Sequence, residues 1–542
     1  MNPKLSIAYF VTSHGFGHAA RASAVMNAIH ARWPFVHFEI FTNTPEWFFK
    51  NSLLVSFNYH KESTDIGLVQ TSALHCDPDQ TIGALKSFLP FDEMQLSGLA
   101  ETMTALDCLM VVSDISPLGI AAADKAGLSS ILVENFTWDW IYEFYQDDDV
   151  RFKKYVNALG DLFNQASHRI QAEPVCNILK GQLSTPPISR IHKTAPHLIR
   201  EKLRISDRKK MVLISMGGIS ESLPFINQLK DIDDNFCFVL PGISTEQPVN
   251  REKHQNIIFL SQNSEFYHPD LVNASDVVIG KVGYSTLAEV YHAGVPYGFI
   301  TRSDFRESAV FESYIQLNME GIRIDENDFF SGVWLKQLPK LLALPKRTNN
   351  RPNGAGMAAE YICNILVCEK EILDIVDTKG RVIGAAPRKC VHGNNQLLHQ
   401  VVHVLVFDKE NRLLLQKRSL TKRVAPGRWD TSVGGHVDCG ESIETAMFRE
   451  MKEELGIRPE SMQFAYQYIH TNDFESELVS TYVCLYDGKI FFNPEEIDAV
   501  KFWEMEEINN FLGKAILSDN FEDEFLRYQR WLKVDAPANF KS

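Results

Sequence analysis

Hydrophobic and polar positions alternate in two textures along this chain. As far as about Lys370, short unbroken apolar runs take turns with segments of helical spacing. Ser6–Thr12 (SIAYFVT) is the first run, and HGFGHAARA opens a helical pattern that lasts through Ile29. Val36–Phe41, Leu109–Ser113 and Ser130–Val133 continue the series. Such alternation predicts a parallel sheet with crossover helices. LSTPPISRIHKTAP (Leu183–Pro196) is rich in Pro, Ser and Thr and reads as a connection between lobes. A second series follows: Val212–Ser215 runs into MGGIS, Phe236–Leu240 into PGIS and Val277–Ile279 into GKVGYSTLAEV. LPKRTNNRPNGAG then precedes a last helix, MAAEYICNILVCEK.

Beyond Lys370 the texture changes to strands separated by charged turns. ILDIVDTKGRVIG and VVHVLVFDKENRLLLQKR have hairpin patterns. The expected class is α/β: two Rossmann-like lobes over residues 1–185 and 186–369, and a third domain over 370–542.

Composition narrows the partners. Of 542 residues, 45% are hydrophobic and 23% charged, which is ordinary globular usage. The net charge is −15, and no basic block interleaves with aromatics, so nucleic acid and anionic membranes are excluded as main partners. Phosphates would have to be held locally, by backbone N–H groups, a few basic side chains or metal. The nine cysteines form no CxxC pair, as expected of reduced thiols in a cytoplasm. MNPKLSIAYFVTSHG reads as a strand and a Gly turn rather than a signal peptide, and no apolar run reaches the ~18 residues of a membrane span. A cytoplasmic protein is the expectation.

The densest chemistry lies in GGHVDCGESIETAMFREMKEELGI, Gly434–Ile457. Gly435 is followed after five residues by Glu441, and seven more lead to Arg449, Glu450 and Met451. Glu450, Glu453 and Glu454 are spaced i, i+3, i+4, so a helix puts all three carboxylates on one face while Lys452 falls off it. That much negative charge on one face calls for a hard divalent cation. Every position of the Nudix signature is filled, and the stretch resembles that family's box. The resemblance implies metal-assisted attack of water on a diphosphate linkage, with Mg²⁺ or Mn²⁺ among Glu450, Glu453 and Glu454 and with Gly434 in the metal set. Arg449 would orient the carboxylates, and Glu441 completes the catalytic group.

The surrounding residues, LLHQVVHVLVFDKENRLLLQKRSLTKRVAPGRWDTSVGGHVDCGES, are similar to the Nudix branch that contains isopentenyl-diphosphate isomerase. That likeness implies a second divalent metal held by His392, His399, His436, Glu475 and Glu477. The isomerase has a catalytic Cys before its Gly-His pair, and here that place holds Gly434. Cys439 lies five residues further on. Hydrolysis is therefore expected rather than isomerisation, which needs the acid/base group.

HGFGHAAR, DIGLVQTSAL, VVSDISPLGIAAADKAG and ENFTWDWIYEFY resemble the glycosyltransferase-like N-terminal region of plant L-arabinokinases, and the two lobes resemble a GT-B glycosyltransferase. Gly15 and Gly17 form the first Gly turn, and Gly217 and Gly218 lie in MGGIS. Gly280, Gly283, Ser285 and Thr286 open a helix in IGKVGYSTLAEVYHAGVP, where N–H groups and hydroxyls make a diphosphate cradle. In GT-B enzymes the position of Glu289 binds the donor ribose. His18 is the first candidate for general base and Asp114 the second, with Arg21 holding an anionic acceptor. The structural alternatives are that His18 caps a helix and Asp114 binds a backbone amide. Two functions stay open for the lobes: transfer from a nucleotide sugar, or binding of one without transfer beside a hydrolase that cuts a nucleoside diphosphate-type substrate.

Overall fold

The computed structural model of the protein describes residues 4–217, 223–230, 232–242, 256–347, 350–421 and 425–536. Leu5–Asn364 form one compact unit and Ile365–Ser542 belong to another.

The first unit holds two parallel sheets. Seven strands, Leu5–Val11, Val36–Thr42, Phe57–Lys61, Cys108–Asp114, Ser130–Glu134, His168–Ala172 and Leu183–Thr185, lie in the order 3-2-1-4-5-6-7 counted along the chain. Leu5–Val11 and Cys108–Asp114 are buried at nearly every position, which is why they read as unbroken apolar runs. Lys210–Ser215, Phe236–Pro241, Ile257–Leu260, Val277–Lys281, Tyr297–Ile300 and Gly321–Arg323 form the second sheet in the order 3-2-1-4-5-6. In each sheet the order reverses between the first and fourth strands, and the loops leaving those two strands flank a crevice where such folds place ligands. Local chemistry sets the helices. Pro117–Ala126 starts with Pro, its Ser116 cap accepts from Gly119 N–H, and Gly127 ends it in the left-handed conformation. The segment expected to connect the lobes begins differently: Leu183–Thr185 pairs with Ile170–Ala172 as the seventh strand.

In the second unit Leu398–Phe407 is the spine. It pairs in parallel along its whole length with Ser476–Leu485 and antiparallel with Val433–His436. Ile372–Val376 and Val382–Pro387 form the expected hairpin. The other hairpin is splayed: Leu398–Phe407 meets Leu413–Arg418 only at Phe407–Leu413, and Leu413–Arg418 runs instead beside Ile497–Trp503. Alternate spine residues serve opposite layers. Val402, Val404 and Val406 pack with Met447, Met451 and Leu455 of the helix Ile443–Leu455. Leu405 and Phe407 pack with Phe521, Phe525 and Tyr528 of the helix Asp519–Val534. The period of two in a strand thus builds an α/β/α sandwich. No helix among the described residues is long and apolar enough to cross a membrane.

Candidate active sites

Helix Ile443–Leu455 carries the acidic face. Ser442 caps it by accepting from Thr445 N–H, and Gly456 closes it in the left-handed conformation. The face packs against the strand Val433–His436 at Gly434 and Gly435. A Cβ on Gly435 would sit 2.0 Å from Glu450 Cδ, so only glycine lets the backbone approach that carboxylate. Glu454 is buried, and its Oε2 accepts from Gly434 N–H at 3.2 Å and Gln416 Nε2 at 3.1 Å. Glu453 is exposed.

Arg449 ties the rest together. Its Nε and Nη2 donate to the two oxygens of Glu441 at 3.0 and 2.8 Å, and Nη1 donates to Glu450 Oε1 at 2.6 Å. Nη2 also donates to the His436 carbonyl at 3.0 Å. Glu441 is thereby committed to the Arg449 fork.

One guanidinium does not balance these carboxylates. Burial, more than the attraction of Arg449, pushes Glu450 up to about 7, with Glu453 and Glu496 adding repulsion. Burial and the nearby Glu450 push Glu454 up to about 8. An all-oxygen donor set with surplus negative charge, facing a cleft of about 730 Å³, fits a hard divalent cation. Glu496 and Gln416 line this cleft too, and neither is marked by the local sequence.

Beside it stands a second donor set. One ligand atom each from His392, His399, His436 and Glu475 lies within 4.8 Å of the others. His392 Nε2 is 3.3 Å from His436 Nε2 and 3.1 Å from Glu475 Oε2. His399 is fully buried, and neither ring nitrogen has a hydrogen-bond partner among the described residues. Burial, with His392 adding repulsion, pushes it down to about 4, so the neutral ring has one nitrogen with a lone pair to offer. Three imidazoles and a carboxylate suit Zn²⁺ or Mn²⁺. Glu477 lies opposite His399 in the strand register, outside this set of four, and burial with the nearby Glu475 pushes it up to about 7.

In the first unit, two helix N-termini converge. Phe16–Arg32 starts after Gly15 and Tyr284–Ala293 after Gly283, each without a side-chain cap. A Cβ on Gly17 would touch Ser285 Oγ at 3.8 Å. Uncapped N–H groups from both helices therefore face one crevice, as anion sites do. A cavity of about 370 Å³ adjoins it, with Phe16, Trp47 and Phe48 from one lobe and Gly217, Ser285 and Thr286 from the other among its walls. Gly280 serves packing instead: a Cβ there would lie 1.9 Å from the Ser215 carbonyl oxygen of the neighbouring strand. Gly218 lies outside the described residues.

His18 and Asp114, expected as alternatives, form one pair, with Nδ1 2.8 Å from Oδ1. Arg21 differs from its expected part. It is buried, its Nε and Nη2 donate to both Asp114 oxygens at 2.8 and 2.7 Å, and Nη1 donates to Asn135 Oδ1 at 2.6 Å. Its guanidinium lies 4.7 Å from the Tyr284 ring centroid. The side chain expected to hold an anion instead neutralises Asp114, because both point inward from the switch point. Asp114 is held below the ordinary carboxylate range: burial opposes this, and Arg21 and His18 overcome it. His18 is shifted down, since burial outweighs its bond to Asp114. Glu289 is likewise committed: Oε1 accepts from Arg190 Nε and Nη2 at 3.1 and 2.9 Å, and Oε2 is 2.6 Å from His268 Nδ1.

Residues 397–534 match the family model of the NUDIX domain. The chain belongs to the Nudix family. An uncharacterized Nudix hydrolase of Streptomyces coelicolor is 32% identical over 174 residues, covering 31% of this chain and 94% of that protein. The isopentenyl-diphosphate Delta-isomerase of Serratia proteamaculans is 35% identical over 144 residues, 26% of this chain and 80% of the isomerase. Ahead of the Nudix domain, the chain is similar to L-arabinokinase of Arabidopsis thaliana, 27% identical over 371 residues. That match takes in 66% of this chain and spans about a third of the kinase, 34%. The Nudix protein thus joins a GT-B, arabinokinase-like region to a hydrolase-type domain.

Proposed function

We propose that the C-terminal domain hydrolyses a diphosphate linkage in a nucleoside diphosphate-linked compound. The carrying observation is the uncompensated carboxylate set, with Glu450 and Glu454 both pushed above the ordinary range by burial in an open cleft. Glu450, Glu453 and Glu454 would hold the cation, with Gly434 bringing the backbone alongside. When bound, Mg²⁺ or Mn²⁺ supplies Lewis-acid polarisation of phosphoryl oxygens and a more acidic water. The chain's own residues do the positioning. Arg449 aims Glu450 while Glu441 anchors Arg449, and Gly435 admits the Glu450 carboxylate against the strand Val433–His436. His392, His399, His436 and Glu475 would hold a second divalent metal, with Glu477 at its edge.

The two lobes would take the nucleotide sugar. Diphosphate oxygens would meet the N-termini at Gly15–Gly17 and Gly283–Thr286, and the nucleoside would lie in the cavity lined by Trp47 and Phe48. His18, aligned by Asp114, is the base for an acceptor hydroxyl. A second reading, binding without transfer, is favoured by one observation. Asp114 is already neutralised by Arg21, so it adds little to the basicity of His18.

Full-length protein with Mg²⁺, assayed against nucleoside diphosphates, nucleotide sugars and prenyl diphosphates, tests the hydrolase. Cleavage of a diphosphate is expected; no cleavage, or conversion of isopentenyl diphosphate to its isomer, would sink the hydrolytic reading. Calorimetry with UDP-, GDP- and dTDP-sugars, followed by a donor-hydrolysis assay, separates the two readings of the lobes. Binding without turnover favours the module.

A further inference from the structure

The odd-numbered face of the spine strand carries one polar residue into the Nudix cleft. His403 stands opposite Gly434 in the register and is one of the residues lining that cleft. A Cβ on Gly434 would lie 3.2 Å from His403 Cδ2 and 3.5 Å from Nε2, so the imidazole edge occupies the space that a side chain at 434 would need. Its other nitrogen is tied down: Nδ1 is 2.8 Å from Glu524 Oε2, 121 residues away in sequence.

Glu524 is fully buried on the helix Asp519–Val534 and is built to hold that ring. Tyr466 OH donates to its Oε1 at 2.7 Å, Thr481 Oγ1 donates to Oε1 at 2.8 Å, and Tyr468 OH donates to Oε2. Burial alone would favour the neutral acid; the bonds from His403, Tyr468 and Tyr466 outweigh it and keep the carboxylate charged. A carboxylate with every lone pair spoken for fixes Nδ1 as the protonated nitrogen. Nε2 is then the nitrogen that can take or release a proton, and no hydrogen bond joins it to the described residues. Burial would lower His403, but the bond and charge of Glu524 outweigh it and raise the ring above the ordinary imidazole value, so Nε2 is a stronger base than a free imidazole. His403 lines the cleft that also holds Glu450 and Glu454, and its Nε2 edge lies against Gly434 there.

We propose that His403 is a catalytic residue of the Nudix cleft, accepting through Nε2 the proton of the water that attacks the diphosphate, with Glu524 as its positioning residue. The water oxygen forms the new P–O bond, its proton passes to Nε2, and the bridging P–O bond breaks with its electron pair leaving on the departing phosphate. Positive charge arising on the ring is met by the Glu524 carboxylate across the Nδ1 bond. This assignment rests on the hydrolytic reading and adds a group that the Nudix box itself does not contain.

The test uses full-length protein and the diphosphate that the wild type cleaves best. His403→Ala should lower kcat by ~100-fold or more while KM stays within ~3-fold, the range expected for loss of a general base. Added imidazole should return about a tenth or more of the lost rate, which repair of a merely structural defect would not do. Glu524→Gln should lower kcat by ~10-fold with KM unchanged, since the ring remains but its tautomer is no longer imposed. His403→Asn keeps an N–H donor for Glu524 yet ends short of the cleft. It decides the matter if the alanine variant does not fold: it should melt like wild type and be as slow as the alanine variant. Wild-type kcat in folded His403→Asn, or an unchanged rate in His403→Ala, overturns the assignment while leaving hydrolysis intact. A wild type that cleaves no diphosphate overturns both.

Discussion

The two clefts hold similar residue types in opposite electrostatic states. In the first unit Asp114 is matched by Arg21 and His18, and Glu289 by Arg190 and His268, so both of these buried acids have their cations within the chain. In the Nudix cleft Arg449 reaches Glu450 but not Glu454, Glu496 adds repulsion to both, and burial drives the two acids toward the neutral form. A buried acid that is paired internally belongs to the architecture. One that lacks a partner implies a charge brought from outside.

Substitution separates the two clefts most strongly. Glu450→Gln should lower Nudix turnover by more than ~100-fold, exceeding the ~10–100-fold typical when an outer-shell partner is lost, and leave the melting temperature unchanged or raised. Asp114→Asn should do the reverse in the first unit, costing about 3–5 kcal/mol by leaving Arg21 buried without its countercharge. Steady-state rates and thermal melts of the two variants read this directly. A melt unchanged by Asp114→Asn would show that the internal pairing is unimportant.

The pH response should differ in sign between the units. With EDTA present, Glu454 binds its proton more tightly in the folded state than in the unfolded one, so the Nudix domain should lose stability as pH rises from about 4.5 to about 8. Asp114, held below its ordinary value, contributes stability above about 3.8 that is lost only as pH falls through its folded value. Peptide-resolved hydrogen exchange on the full chain separates the two. Mg²⁺ at ~100 times its Kd should restore about 2.7 kcal/mol to the Nudix domain, with the first unit unmoved. The same sign of response in both units would collapse the distinction.

The smallest effects on stability concern the glycines. Gly435→Ala drives a Cβ to 2.0 Å from Glu450 Cδ and should cost about 1–3 kcal/mol, together with most of the turnover. Gly283→Ala meets nothing within 4 Å and should cost under ~1 kcal/mol of stability, while its Cβ enters the space proposed for the diphosphate, so a nucleotide-sugar titration should weaken even though the melt hardly moves.

Features that repeat within a helical turn or a strand were legible without coordinates. The i, i+3, i+4 carboxylates and the doubly wound alternation depend on neighbours a few residues apart, where spacing dictates geometry. The metal-type cluster of His392, His399, His436 and Glu475 was reached through family likeness rather than spacing, because it draws on separate strands and a loop. Arg21 shows the limit from the other side. Its place one turn after His18 was readable, but its direction was not, because only the packed switch point sets Asp114 and Asn135 against it, 93 and 114 residues away. His403 and Glu524 left no local signal at all: a lone histidine in an apolar strand and a glutamate in an amphipathic helix each look ordinary. Periodicity along the chain was enough to give the alternating α/β texture and to say which acids share a face, since those follow from a period of 3.6 or 2; the strand at Leu183–Thr185 and the splayed hairpin depended on pairing across the sheets. Which acids find a countercharge inside the chain was settled by packing, because Coulomb energy and desolvation depend on distance and burial rather than on sequence separation.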